Sequence, residues 1–136
     1  MFIVSDHGHI IADKISIQNS KINDYLIKQD VFIENRNPGF LIKKGFEQDF
    51  INAFNQDYGN DFFLLSKEDV LKYKIFGEYT PNNKHELFEN SFGDFMAFAK
   101  DISNKALLGK TDVPMCSYHG GYSDDEIYIP LIVISN

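Results

Sequence analysis

Apolar residues along this chain fall into two rhythms. Short runs apolar at nearly every position stand at residues 2–4, 31–33, 40–42, 61–65, 94–99 and 129–135. Runs of that kind predict strands buried on both faces of a sheet. The second rhythm has helical spacing. Ile22, Tyr25 and Leu26 predict a helix over 21–29 with Asn19-Ser20 as its cap, and Phe46, Phe50, Ile51 and Phe54 predict one through Tyr58, stopped by Gly59. Ser66 with Asp69 three residues on is a variant capping box and opens a further helix that ends before Ile75. Residues 14–17 alternate weakly, as a short strand does, and 101–110 are polar around a Leu107-Leu108 anchor. Asn35-Arg36-Asn37-Pro38-Gly39 is the strongest turn signal, with Arg36 expected in solvent. Residues 77–92 read as a long loop with one turn of helix near 85–89, and His85 as a surface histidine. Strands alternating with helices predict an α/β domain, or α+β, with a mixed β-sheet and helices packed on it.

Composition narrows the classes. A chain of 136 residues, 43% hydrophobic and 24% charged, fits a single domain with a moderate core. Thirteen Phe and no Trp make that core Phe-rich. A net charge of −7 with Arg36 as the only arginine argues against a nucleic-acid-binding surface. It does not argue against phosphate esters as substrates, since metal ions can supply the positive charge. Cys116 is the only cysteine, expected buried and inert, so no internal disulfide forms and a cytoplasmic setting is expected. No apolar run approaches the length of a transmembrane helix.

The candidate chemistry stands at the two ends. Ser5-Asp6-His7-Gly8 follows the first apolar run directly. Asp6 offers a carboxylate and His7 an imidazole, both suited to a divalent metal. Neighbours on a strand point to opposite faces, so both reach one ion only where the strand gives way to a turn, which Gly8 permits. His9 lies two residues further on and is expected exposed. At the other end, His119-Gly120-Gly121 precedes Ser123-Asp124-Asp125-Glu126 and a second apolar run containing Pro130-Leu131-Ile132.

As a pair, these end motifs resemble the alkaline phosphatase superfamily, most closely its nucleotide pyrophosphatase/phosphodiesterase-like branch. Between them, Leu64 to Val70, Ile75-Phe76-Gly77 and Gly93-Asp94-Phe95 are similar in order of features, so the resemblance covers most of the chain. It implies hydrolysis of phosphoric esters, with a phosphate-ester or nucleotide substrate and two divalent metals, zinc foremost and manganese as an alternative. Asp6 and His7 would serve one metal and His119 the other, while Glu126 would fix the turn after His119 by hydrogen bonding. The first and last strands would lie side by side, and residues 14–110 would form a cap-like subdomain between the metal-ligand motifs.

The resemblance also marks what these residues lack. The branch carries a Thr or Ser nucleophile and further metal ligands upstream of its Ser-Asp-His-Gly motif. The two threonines here, Thr80 and Thr111, do not stand in that context. The expectation is therefore the C-terminal segment of a larger hydrolase, inactive alone, whose partner is the missing N-terminal catalytic portion and which can self-associate through its end strands. Two alternatives remain at this point. One is a non-catalytic binding or assembly domain derived from the fold. The other is a phosphomutase or sulfatase branch of the same superfamily.

Overall fold

The computed structural model describes residues 1–78, 88 and 91–135. The centre is a four-stranded antiparallel sheet in the order β4-β5-β7-β6, made of β4 (Phe32–Glu34), β5 (Asn37–Phe40), β7 (Phe95–Ala99) and β6 (Phe62–Ser66). Every residue of β7 is buried, as its unbroken apolar run predicts. Its alternation sends Phe95, Ala97 and Ala99 to one face and Met96 and Phe98 to the other. On the first face lies α1 (Glu47–Tyr58), whose Phe50, Phe54 and Tyr58 are buried against Phe40, Phe62 and Phe95. Phe40, Phe50 and Phe54 meet with ring centroids 5.3–5.8 Å apart, the offset and tilted packing that aromatic rings favour. On the second face, α2 (Lys67–Lys72) brings Val70 against Met96, Phe98 and Phe92. The Ser66 hydroxyl caps α2 by accepting the Asp69 N–H at 3.1 Å and donates to the Asp69 carboxylate at 2.9 Å.

Three two-stranded ladders surround this core. β3 (Asp13–Ser16) pairs in parallel with β8 (Lys105–Leu108), and β2 (Ile10–Ile11) pairs with β9 (Ser117–Tyr118). β1 (Phe2–Val4) pairs antiparallel with β10 (Leu131–Val133), preceded by the short α3 (Asp124–Ile127). The first and last strands thus lie side by side, as expected. They are not buried: all six residues are exposed. No described helix is long and apolar enough to cross a membrane.

Four local expectations are corrected. The helix over 21–29 is only a 3-10 turn, Lys21–Asp24, capped by the Ser20 hydroxyl. Beyond it the Ile27 N–H donates to the Leu41 carbonyl and the Lys43 N–H to the Tyr25 carbonyl, so strand-like pairing takes the groups a helix would need. The turn expected over 35–39 occupies only Asn35 and Arg36, because Asn37–Phe40 is a fully buried central strand. Arg36 is wholly buried rather than solvated. Cys116 is exposed rather than buried. The helical turn expected near 85–89, with His85, lies outside the described residues apart from Phe88.

Candidate functional site

Folding brings the two end motifs together. The turn after β1 carries Asp6, His7 and Gly8, and the loop after β9 carries His119, Gly120 and Gly121. The His7 and His119 rings stack, with centroids 3.8 Å apart and planes 16° from parallel. His9, exposed as expected, has its ring 4.7 Å from His7 and 5.1 Å from His119.

The convergence has a physical cause in Glu126. Its carbonyl accepts the Gly8 N–H at 3.1 Å, which ties the first motif to α3. Its carboxylate accepts the Gly121 N–H at 2.8 Å and the Ser123 hydroxyl at 2.6 Å, which ties down the loop beside His119. The approach is close enough to demand glycine, because a Cβ on Gly8 would stand 1.9 Å from the Asp125 carbonyl oxygen. The expected role of Glu126 in holding this turn is what the hydrogen bonds show.

What the turn signal concealed is the partner of Glu126. Arg36 donates from Nε to Oε1 at 2.9 Å and from Nη2 to Oε2 at 2.8 Å, a bidentate pair with both side chains fully buried. Its Nη1 donates to the carbonyls of Ser103 and Lys105, each at 2.8 Å. Burial pushes the Glu126 carboxyl up, but hydrogen bonds from Arg36, Ser123 and Gly121 outweigh it and hold the group below the usual glutamate range. Removing one member would leave the other charged and unpaired inside the protein, at a cost of about 3–5 kcal/mol. A lone arginine in a Pro-Gly turn carries no local signal of this burial. Only its position as the sole arginine set it apart.

The donor geometry sorts the titratable groups into two sets. His7 Nδ1 lies 3.0 Å from the Gly8 carbonyl oxygen, which can only accept. In the neutral ring this places the proton on Nδ1 and the free lone pair on Nε2. That Nε2 is 3.5 Å from Asp6 Oδ2. Two ligands at zinc-like distances from one tetrahedral ion stand about 3.3–3.6 Å apart, so Asp6 and His7 have the spacing of co-ligands. The Asp6 carboxyl is held below the usual aspartate range, first by its own backbone N–H and then by the charge of His7. His119 Nε2 is 3.7 Å from Glu34 Oε2, a carboxylate for which the sequence carried no expectation.

An imidazole offers its lone pair in the ring plane. Rings stacked as His7 and His119 are offer theirs in separate, nearly parallel layers, so one ion cannot lie in both planes. Two ions, one in each layer, could. Among the described residues, no group of three or more His, Cys, Asp or Glu converges on one point as a metal cage would require. Beyond Gly121 the loop leaves the polar cluster. Tyr122, its hydroxyl pushed up by burial, borders an apolar cavity of about 470 Å³ with Phe63, Leu65, Ile75 and Phe98.

No protein-family model and no curated protein matches the sequence. Solved structures do match the fold. Murine ectonucleotide pyrophosphatase/phosphodiesterase 5, an inactive variant in complex with AMP, superposes with a TM-score of 0.57 at 17% identity, covering 96% of this chain and 32% of that one. The human protein matches with the same TM-score and identity, over 92% of this chain and 31% of that one. This chain therefore spans about a third of the length of those it matches. In fold it is similar to one part of an ectonucleotide pyrophosphatase/phosphodiesterase, an alkaline-phosphatase-like mixed α/β architecture, as the paired end motifs implied.

Proposed function

We propose that this chain is the C-terminal portion of a metal-dependent phosphodiesterase or phosphatase and supplies part of a two-metal site. The observation that carries this reading is the convergence of Asp6, His7 and His119 from opposite ends of the chain, with the two rings layered 3.8 Å apart. The donor chemistry fits divalent ions of the zinc type: one carboxylate and two imidazoles, with His7 Nε2 left free by the hydrogen bond at Nδ1. When bound, such ions supply positive charge for the phosphoryl group and lower the pKa of a hydroxyl or water. Asp6 and His7 belong to one ion and His119 to the other. Glu126 and Arg36 do no chemistry on substrate; they hold the Gly121–Ser123 loop in register with Gly8. Residues 14–110 form a cap-like unit between the metal-ligand motifs. Nucleotides are a reasonable substrate class because AMP is the ligand named for one structurally similar protein.

The nucleophile and the remaining ligands come from residues preceding Met1 in the longer protein, so the chain alone is inactive. The test starts from the coding sequence upstream of Met1, with the longest protein it encodes assayed on a nucleotide phosphodiester. Hydrolysis is expected there, abolished by His7→Ala or His119→Ala and absent from residues 1–136 alone. Full activity in residues 1–136, or activity in the long protein indifferent to both substitutions, would refute the proposal.

A further inference from the structure

We infer that the apolar cavity beside Tyr122 is a subsite for the nucleobase on one ester arm of the substrate. The inference rests on the reading of a nucleotide phosphodiester site at His7 and His119.

The cavity exists because a short helix meets a longer sheet face. Phe63 and Leu65 on β6 stand opposite Phe98 and Met96 on β7, so their side chains share a face. α2 packs on that face, but its six residues span about 9 Å, against about 17 Å for the five residues of β6. Val70 of α2 packs with Met96 near the helix start. Toward the other end Phe63 is left 58% exposed, and a cavity of about 470 Å³ opens between Phe63, Leu65, Ile75, Phe98 and Tyr122.

Three observations aim this cavity at the substrate. First, Tyr122 is carried by the loop of His119, and three residues of chain span at most about 11 Å. Its place is fixed from both sides, because the Gly121 N–H and the Ser123 hydroxyl both donate to the Glu126 carboxylate that Arg36 holds. Second, the cavity shares a wall with the approach to the histidines. Asp101 lines both it and a polar cleft of about 410 Å³, whose walls include His9, Ser103, Ser123 and Asp125. The His9 ring in turn lies 4.7 Å from His7 and 5.1 Å from His119. Third, the walls suit a flat ring with amino groups. The Phe98 and Tyr122 rings stand 5.8 Å apart and tilted by 51°, and aromatic faces of this kind stack bases. The Asp101 carboxylate can accept the exocyclic N–H donors of adenine, guanine or cytosine. Charge sets the direction of the ligand. Asp101 and Asp125 repel a phosphate, so the anionic end stays at the histidines, the ribose lies along the hydroxyls of Ser103 and Ser123, and the uncharged base enters the cavity.

The test titrates the 13C- and 15N-labelled chain with adenosine, without metal, in wild type, Tyr122→Ala and Phe63→Ala, with ribose as the control. Tyr122 and Phe63 are 45% and 58% exposed, so neither substitution opens the core, and the amide spectrum verifies the fold. Adenosine is expected to shift the ring signals of Tyr122, Phe63 and Phe98, where ribose does not. The apparent affinity should fall about tenfold in each variant. No shift of these rings in the wild type, an equal shift with ribose, or an affinity unchanged in either variant would overturn the inference. Adenosine carries no phosphate and the titration contains no metal, so the result is independent of the ion reading. That reading falls instead if His7→Ala and His119→Ala leave the activity of the longer protein intact.

Discussion

Two apolar regions of this chain look alike as strings of residues and have opposite fates. Phe95–Ala99 is sealed on both faces by α1 and α2, whereas Phe2–Val4 and Leu131–Val133 form a two-stranded ribbon with every side chain exposed. Phe54 is wholly buried, while Phe2 is 73% exposed. An apolar run states that a strand seeks cover; it does not state what supplies that cover. In the centre the cover is local, because α1 and α2 flank β6 in sequence and fold back onto the same sheet. At the ends no comparable cover is supplied, and all six residues of the ribbon stay exposed. Exposed apolar strand edges of that kind favour association.

The largest effect that would break this comparison comes from the same substitution in both regions. Phe54→Ala should cost about 3–5 kcal/mol in denaturant unfolding, the loss of a buried ring plus the cavity left behind. Phe2→Ala should cost less than about 1 kcal/mol, since little area leaves water when Phe2 folds. Equal costs would mean that the ribbon is covered in solution.

Comparable in size is the buried ion pair that links the core to the site. Arg36→Met should destabilise the chain by about 3–5 kcal/mol, because Glu126 stays inside without its partner. The pH dependence sharpens this result. The Glu126 carboxyl titrates lower in the folded protein than in the unfolded one. Its stabilising contribution is therefore complete above the unfolded value of about 4.3 and is lost as pH falls through the lower folded value. Acid unfolding of the wild type should steepen below about pH 4, and that part of the slope should shrink in Arg36→Met.

The smallest effect on stability, with a large effect on assembly, lies in the ribbon. Ile3 and Ile132 are directly opposed in the ladder. The chain is expected to self-associate in light scattering, more strongly at high salt, where its net charge of −7 is screened. Placing lysine at both positions should give monomers while moving the unfolding midpoint little. Association undiminished by the pair would locate the sticky surface elsewhere.

The sequence by itself determined the central elements, because each rests on neighbours. The spacing of Phe50, Phe54 and Tyr58 gives α1, the Ser66 hydroxyl and Asp69 open α2, and the unbroken run at Phe95–Ala99 makes a strand buried on both faces. The end motifs were legible too, and the resemblance they carry implied the task of Glu126 in holding the turn, where its carboxylate accepts the Ser123 hydroxyl. The tertiary structure alone decided the rest. It folded the expected helix over 21–29 into a 3-10 turn by pairing its neighbours with residues 41–43. It also buried Arg36 against a carboxylate from the far end of the chain and laid His119 over Glu34. Those outcomes depend on pairings between distant segments, and a local pattern of polar and apolar residues carries no record of which distant group will complete a charge, a hydrogen bond or a metal site.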